Sequence, residues 1–146
     1  MKTRVSDCAY PRSILYIEDD KDSREMLTCM LEHAGYAVET ATSIADGMQL
    51  YKQKQFDLCI LDSRFADGSG IELCLKLRTL DRVTPIIFYS GAGYASDIAD
   101  GLAAGAQEYL TKPLGIYTIA QTIARLLTDV KMVRVKVQGE PSPIQL

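Results

Sequence analysis

Five short runs rich in β-branched and apolar residues alternate with five longer helical patterns along this chain. That alternation restricts the fold more than any other feature. Strands are expected at 13–17, 36–40, 56–61, 85–89 and 107–110. Helices are expected at 22–34, from the Ser43 cap to about residue 54, and at 70–79, 96–105 and 114–128. In the first helix Met26, Leu27, Met30 and Leu31 recur at helical spacing, and Gly35 is placed to end it. Ile44, Met48 and Tyr51 mark the second helix. Strands separated by helices pair in parallel through right-handed crossovers. The runs at 56–61 and 85–89 are almost continuously apolar, as strands covered on both faces are. The fold class that follows is α/β, a doubly wound (βα)5 three-layer sandwich around a parallel five-stranded sheet. In such sheets the site lies outside the carboxyl ends of the strands.

A chain of 146 residues buries one core of ordinary size. Its 47% apolar and 24% charged residues are those of a globular protein. A net charge of −3, with no run of five basic residues, argues against direct nucleic-acid binding. No apolar stretch approaches the roughly eighteen residues a membrane helix needs. The N-terminus leads into no signal-like apolar segment, so a cytoplasmic location is expected. Cys8, Cys29, Cys59 and Cys74 are widely spaced and His33 is the lone histidine, a poor set for zinc. Cys59 reads as a small core residue, and His33 as a helix-terminal residue meeting the dipole.

Residues 129–146 break the pattern. Val133 to Val137 alternates apolar and basic residues before a Gly-Glu-Pro-Ser-Pro stretch. A frayed tail or linker is the favoured reading, over a short extra strand or a stub leading to another domain. The expected division is an N-terminal extension over 1–11, a domain over 12–128 and a tail over 129–146.

The chemistry gathers at strand ends. Glu18-Asp19-Asp20 follows the first strand, Asp62 the third, Ser90-Gly91 the fourth and Lys112-Pro113 the fifth. Parallel pairing brings these ends to one edge. Converging carboxylates repel one another unless a cation sits among them. Mg²⁺ suits one or two carboxylates with water and phosphate oxygens. Lys112 adds positive charge, and Ser90 can donate to an oxyanion. A carboxylate nucleophile, a metal, a lysine and a hydroxyl are the parts of phosphoryl transfer onto aspartate.

Leu15-Tyr16-Ile17-Glu18-Asp19-Asp20, Leu61-Asp62, Tyr89-Ser90-Gly91 and Tyr109-Leu110-Thr111-Lys112-Pro113 resemble the signature of CheY-like response-regulator receiver domains in two-component phosphorelay signalling. The resemblance covers about residues 12–128 and implies the flavodoxin-like strand order 2-1-3-4-5. It implies that Asp62 becomes the phosphoaspartate, using a phosphoryl group from a histidine kinase or phosphotransfer protein. Mg²⁺ would be ligated by Asp19, Asp62 and the Arg64 backbone carbonyl, with Glu18 acting largely through water. Ser90 and Lys112 would hold phosphoryl oxygens, and Tyr109 would be a switch whose rotamer follows Ser90. The Lys112–Pro113 peptide is often cis in the family. The domain would catalyse its own phosphorylation and dephosphorylation rather than act as an enzyme on a separate substrate.

Two departures stand out. The family commonly carries a Met-Pro pair and then Asp-Gly after the acceptor. Here Ala66 replaces the proline and Ser69-Gly70 stands at the Asp-Gly position, so a more mobile loop is expected. Arg64, two residues beyond Asp62, occupies a position that influences phosphoryl lifetime in the family, and it can shield or pair with the group.

Each residue also has a plainer reading. Asp62 and Ser90 are common turn residues, Lys112 a common surface cation, and Tyr109 an ordinary half-buried aromatic. Asp20 or Asp22 suits the helix N-cap better than Glu18 or Asp19 does. Asp62, Glu18, Asp19 and Lys112 in register favour the functional reading. The expected function is a phosphorylation-driven switch that binds a target protein or a second copy through helices 96–105 and 114–128. A degenerate receiver acting only as an interaction module is the alternative. A flavin binder is disfavoured, because Glu18-Asp19-Asp20 would repel a flavin phosphate, and no P-loop pattern is present.

Overall fold

The computed structural model describes residues 11–139, with side chains through Asp129. The long strands are β1 (Ser13–Ile17), β2 (Ala37–Ala41), β3 (Leu58–Leu61), β6 (Ile86–Ser90) and β7 (Glu108–Thr111). Two short strands, β4 (Arg64–Phe65) and β5 (Gly68–Ser69), form a small antiparallel hairpin. The helices are α1 (Lys21–His33), α2 (Ile44–Gln53), α3 (Gly70–Leu80), α4 (Ala95–Ala103) and α5 (Ile116–Gly139). The sheet order is β2-β1-β3-β6-β7, all parallel. With the hairpin set aside this is the expected 2-1-3-4-5 order.

Strand alternation divides the core. Ile14, Tyr16, Leu58, Ile60 and Ile87 face Leu27 and Leu31 of α1 and Ile119, Ile123, Leu126 and Leu127 of α5. Leu15, Ile17, Cys59, Leu61, Ile86 and Phe88 face Ile44, Leu73, Cys74, Leu77 and Ala104 on the opposite side. Each leucine, isoleucine or phenylalanine side chain among these, taken from water, stabilises the fold by roughly 1.5–3 kcal/mol. Successive residues on one strand serve different layers, so both faces of the sheet must be covered.

The caps follow from local chemistry. Asp20 is the N-cap of α1 and accepts from the Ser23 amide at 2.9 Å. Ser43 caps α2 by accepting from the Asp46 amide at 3.1 Å. Gly35 adopts φ +104° after α1, and the Tyr36 amide returns to the Leu31 carbonyl at 3.1 Å. His33 lies in the last turn of α1, as expected.

Four expectations are corrected. Met26 and Met30 are exposed, because the stripe of α1 that meets the sheet is only as wide as Leu27 and Leu31. The segment after Asp62 is not an open loop but the β4–β5 hairpin. Its Asp67 carboxylate accepts from the Ile44 and Ala45 amides at 3.0 and 3.1 Å, tying it to the α2 N-terminus. Residues 129–139 are neither a frayed tail nor a strand, since α5 continues through Gly139. Extending a formed helix adds a hydrogen bond per residue without a new nucleus, which outweighs the strand preference of valines. Finally, Phe56 precedes β3 rather than opening it, although it is buried. Cys8, residues 1–10 and the 140–146 part of the predicted tail lie outside the described residues.

Candidate functional site

Register aligns the carboxyl ends of the strands. Ile17 pairs with Leu61, Leu61 with Phe88, and Ser90 with Thr111. Glu18, Asp62 and Lys112, each one residue beyond a strand end, therefore meet at one edge. Backbone hydrogen bonds fix them there. The Glu18 amide donates to the Ala41 carbonyl at 2.9 Å, that of Asp62 to Ile17 at 3.2 Å, and that of Lys112 to Ser90 at 2.7 Å.

One carboxylate oxygen from each of Glu18, Asp19 and Asp62 lies within 4.8 Å of the other two. Asp19 is exposed, Asp62 partly buried and Glu18 wholly buried. Glu18 is well supplied with donors. Lys112 Nζ lies 2.6 Å from Oε1, the Tyr16 hydroxyl 3.3 Å from Oε1, and the Asp20 amide 3.1 Å from Oε2. Burial pushes the Glu18 carboxyl above its usual range, and the Asp62 charge adds to the rise. The bonds from Lys112 and Asp20 only partly oppose it. Burial works against charging Lys112, but its hydrogen bond to Glu18 and the Asp62 charge outweigh burial and raise it. Tyr16 is also raised, by burial first and then by Glu18. Arg24 Nη1 holds the Glu18 carbonyl at 2.9 Å.

Lys112 Nζ stands 3.7 Å from Asp62 Oδ2, and the Lys112–Pro113 peptide is cis. Asp62 Oδ1 accepts from the Ser63 amide at 2.6 Å. A cleft of about 350 Å³ opens beside it, lined by Asp62, Ser63, Arg64, Ser90, Gly91 and Ala92. Arg64 is exposed at the start of the hairpin. Ser69 caps α3 by accepting from the Ile71 amide at 2.9 Å. A Cβ at Gly70 would overlap the Asp62 carbonyl, so only glycine permits this approach beside Asp62.

Ser90 is buried. Its hydroxyl accepts from the Ala92 amide at 3.0 Å and lies 2.6 Å from the Ser63 hydroxyl. Tyr109 stacks on Phe88 with ring centroids 5.3 Å apart and donates its hydroxyl to the Ala92 carbonyl at 2.6 Å. The predicted site residues Glu18, Asp19, Asp62, Ser90 and Lys112 thus share one edge, with Arg64 and Tyr109 flanking it. Tyr16, Ser63, Arg24 and Ala92 were not singled out in the sequence. Ser63 carried one signal, a hydroxyl residue immediately after the strand-end aspartate. The backbone contacts of Arg24 and Ala92 have no sequence signature.

A parallel sheet in this order, with an acidic cluster and a lysine at its carboxyl edge, is the architecture of a receiver domain. The chain belongs to the response regulator receiver domain family, whose model matches residues 14–124. It is 33% identical over 127 residues to the transcriptional regulatory protein GltR of Pseudomonas aeruginosa, covering 86% of this chain and 52% of that one. It is 33% identical over 115 residues to the transcriptional regulatory protein CusR of Escherichia coli K12, covering 79% of this chain and 49% of CusR. The chain thus spans about half the length of these curated relatives. Among solved structures, a CheY-like receiver domain protein from Methanospirillum hungatei superposes with a TM-score of 0.80 at 26% identity, covering 84% of this chain and 98% of that one. A two-component response regulator from Clostridium difficile gives 0.77 at 27%, covering 80% and 96%. Among the described residues no helix is long and apolar enough to cross a membrane.

Proposed function

We propose that Asp62 accepts a phosphoryl group from a phosphohistidine donor, a histidine kinase or phosphotransfer protein, in a Mg²⁺-dependent reaction. The observation that carries this reading is the convergence of three carboxylates within 4.8 Å, with Lys112 3.7 Å from Asp62. An Asp62 oxygen attacks phosphorus while the donor P–N bond breaks. The electron pair stays on the imidazole nitrogen, which takes a proton from water. The donor set is all oxygen and one carboxylate is exposed, which fits a hard divalent cation. Asp19, Asp62 and the Arg64 carbonyl would hold it, with Glu18 acting through water. When bound, Mg²⁺ supplies positive charge to the phosphoryl oxygens. Lys112 and Ser90 would also hold those oxygens. Dephosphorylation reverses the charge change, with water attacking phosphorus and the P–O bond to Asp62 breaking.

The readout we propose is a surface change over α4, β7 and α5 that follows Ser90 and Tyr109. Exposed Leu102 and Tyr117 on these helices support a protein target or a second copy there. The matched relatives are named transcriptional regulatory proteins, which favours an output in transcription for the pathway. A cytoplasmic location accompanies this reading. The test is labelling by acetyl phosphate with and without Mg²⁺. Asp62→Asn is expected to abolish it, and undiminished labelling of that variant defeats the reading; no Mg²⁺ binding at millimolar concentration by the unaltered protein revives a phosphorylation-independent interaction module.

A further inference from the structure

We infer that Ser63 is a positioning residue that latches Ser90 in the unphosphorylated state. The inference rests on Asp62 as the phosphoryl acceptor. Ser90 is 1% exposed, so its hydroxyl proton has to find an acceptor inside the protein. One Ser90 lone pair is taken by the Ala92 amide at 3.0 Å. The partner that remains is the Ser63 hydroxyl at 2.6 Å. Ser63 is only partly buried, so water can serve its own proton. The two hydroxyls are therefore unequal. In the proposed latch Ser90 is the donor and Ser63 the acceptor, which commits the single Ser90 proton there.

The contact closes a continuous path. The Ser63 amide donates to Asp62 Oδ1 at 2.6 Å, and the Ser63 side chain meets Ser90. Ser90 accepts from the Ala92 amide, and the Ala92 carbonyl accepts from Tyr109 at 2.6 Å. One residue thus touches both Asp62 and Ser90, and Ser90 connects through Ala92 to Tyr109. A phosphoryl group on Asp62 offers the Ser90 proton a charged acceptor, and hydrogen bonds to charged groups are about twice as strong as neutral ones. Ser90 then exchanges Ser63 for a phosphoryl oxygen. Ser63 sets how strongly the resting state competes with that exchange.

Removing the Ser63 hydroxyl orphans the Ser90 proton in the resting state but not in the phosphorylated one. The test is titration with beryllofluoride, an inert phosphoryl substitute, in the presence of Mg²⁺. Ser63→Ala is expected to bind it at least about fivefold more tightly, the fold-change that corresponds to an unsatisfied buried donor. Ser63→Thr keeps a hydroxyl and is expected to bind as the unaltered protein does. Affinity for Mg²⁺ alone, which a general disturbance of the loop would move, is expected to stay unchanged in both. Equal or weaker beryllofluoride binding by Ser63→Ala, alongside normal binding by the unaltered protein, overturns the latch alone. No binding by the unaltered protein overturns the latch together with the acceptor role of Asp62.

Discussion

Lys112 Nζ lies 2.6 Å from Glu18 Oε1 but 3.7 Å from Asp62 Oδ2. The lysine is thus engaged with the wholly buried Glu18 carboxylate and only near Asp62. A buried charge without a partner costs several kcal/mol, so Glu18 holds the ammonium at the edge. A phosphoryl group on Asp62 would bring the stronger negative charge within its reach.

Lys112→Met separates two effects of that charge. Mg²⁺ is expected to bind more tightly, because a competing cation leaves the cluster. Labelling by acetyl phosphate is expected to slow on the order of a hundredfold, because the developing phosphoryl charge loses a donor. Titration calorimetry and labelling kinetics read the two arms. Labelling at the unaltered rate would remove Lys112 from the reaction.

Gly101 lies under the Tyr109 ring. A Cβ there would come within 2.7 Å of Tyr109 Cδ2 and 3.1 Å of Phe88 Cδ2. Gly→Ala inside a helix ordinarily gains about 1 kcal/mol, whereas overpacking costs about 1–3 kcal/mol. The rings leave little room, so Gly101→Ala is expected to destabilise by about 1 kcal/mol net in urea unfolding. Combined with Tyr109→Ala the loss should shrink, since the clashing ring is gone. Strictly additive costs would show that the contact is not the cause.

Asp81 links acid sensitivity to the opposite end of the sheet. It accepts from the Tyr51 and Thr84 hydroxyls and from the Val83 and Thr84 amides at 2.8 and 3.1 Å. Partial burial raises its carboxyl, but these donors win and hold it well below the usual range. A folded value below the unfolded one, near 3.9, gives stability that is full above about pH 4 and lost as pH falls further. Asp81→Asn is expected to lower stability at pH 7 and to flatten its decline between about pH 4 and pH 2. Urea melts across that range test this, and an unaltered acid slope would count against it.

Thiol labelling reports the two-sided burial of β3. Cys29 is exposed, whereas Cys59 and Cys74 are buried. Burial pushes the Cys59 thiol up to about 12, leaving almost no thiolate at neutral pH. In a Cys8→Ser background one thiol, Cys29, is expected to react quickly with an aromatic disulfide reagent. The other two should react at the rate of unfolding. Fast labelling of all three would contradict the covered sheet.

Much of the frame was legible in the chain because its signals are local. Apolar runs at 56–61 and 85–89 announce strands covered on both faces, and Ser43, Asp20 and Gly35 mark helix ends within a few residues of themselves. The acidic run at Glu18, the aspartate after Leu61 and the lysine before Pro113 each sit at a strand end, so parallel order alone brings them together. What misled was also local. Alternating valines beyond residue 129 suggested strand or tail where α5 simply continues, and Met26 and Met30 carry a helical period but lie outside the Leu27 and Leu31 stripe that is buried.

The sequence by itself determined the layer order, the core strands and which residues would meet at the carboxyl edge, because period, cap chemistry and connection rules act over short spans of chain. Only the tertiary structure decided how those residues are partnered. The bond between Ser63 and Ser90 spans 27 positions, that between Lys112 and Glu18 spans 94, and Asp67 reaches back 23 residues to cap α2. Such contacts depend on ångström-scale placement of side chains across separate strands, and no periodicity encodes that. They also decided which groups each site residue faces across the carboxyl edge.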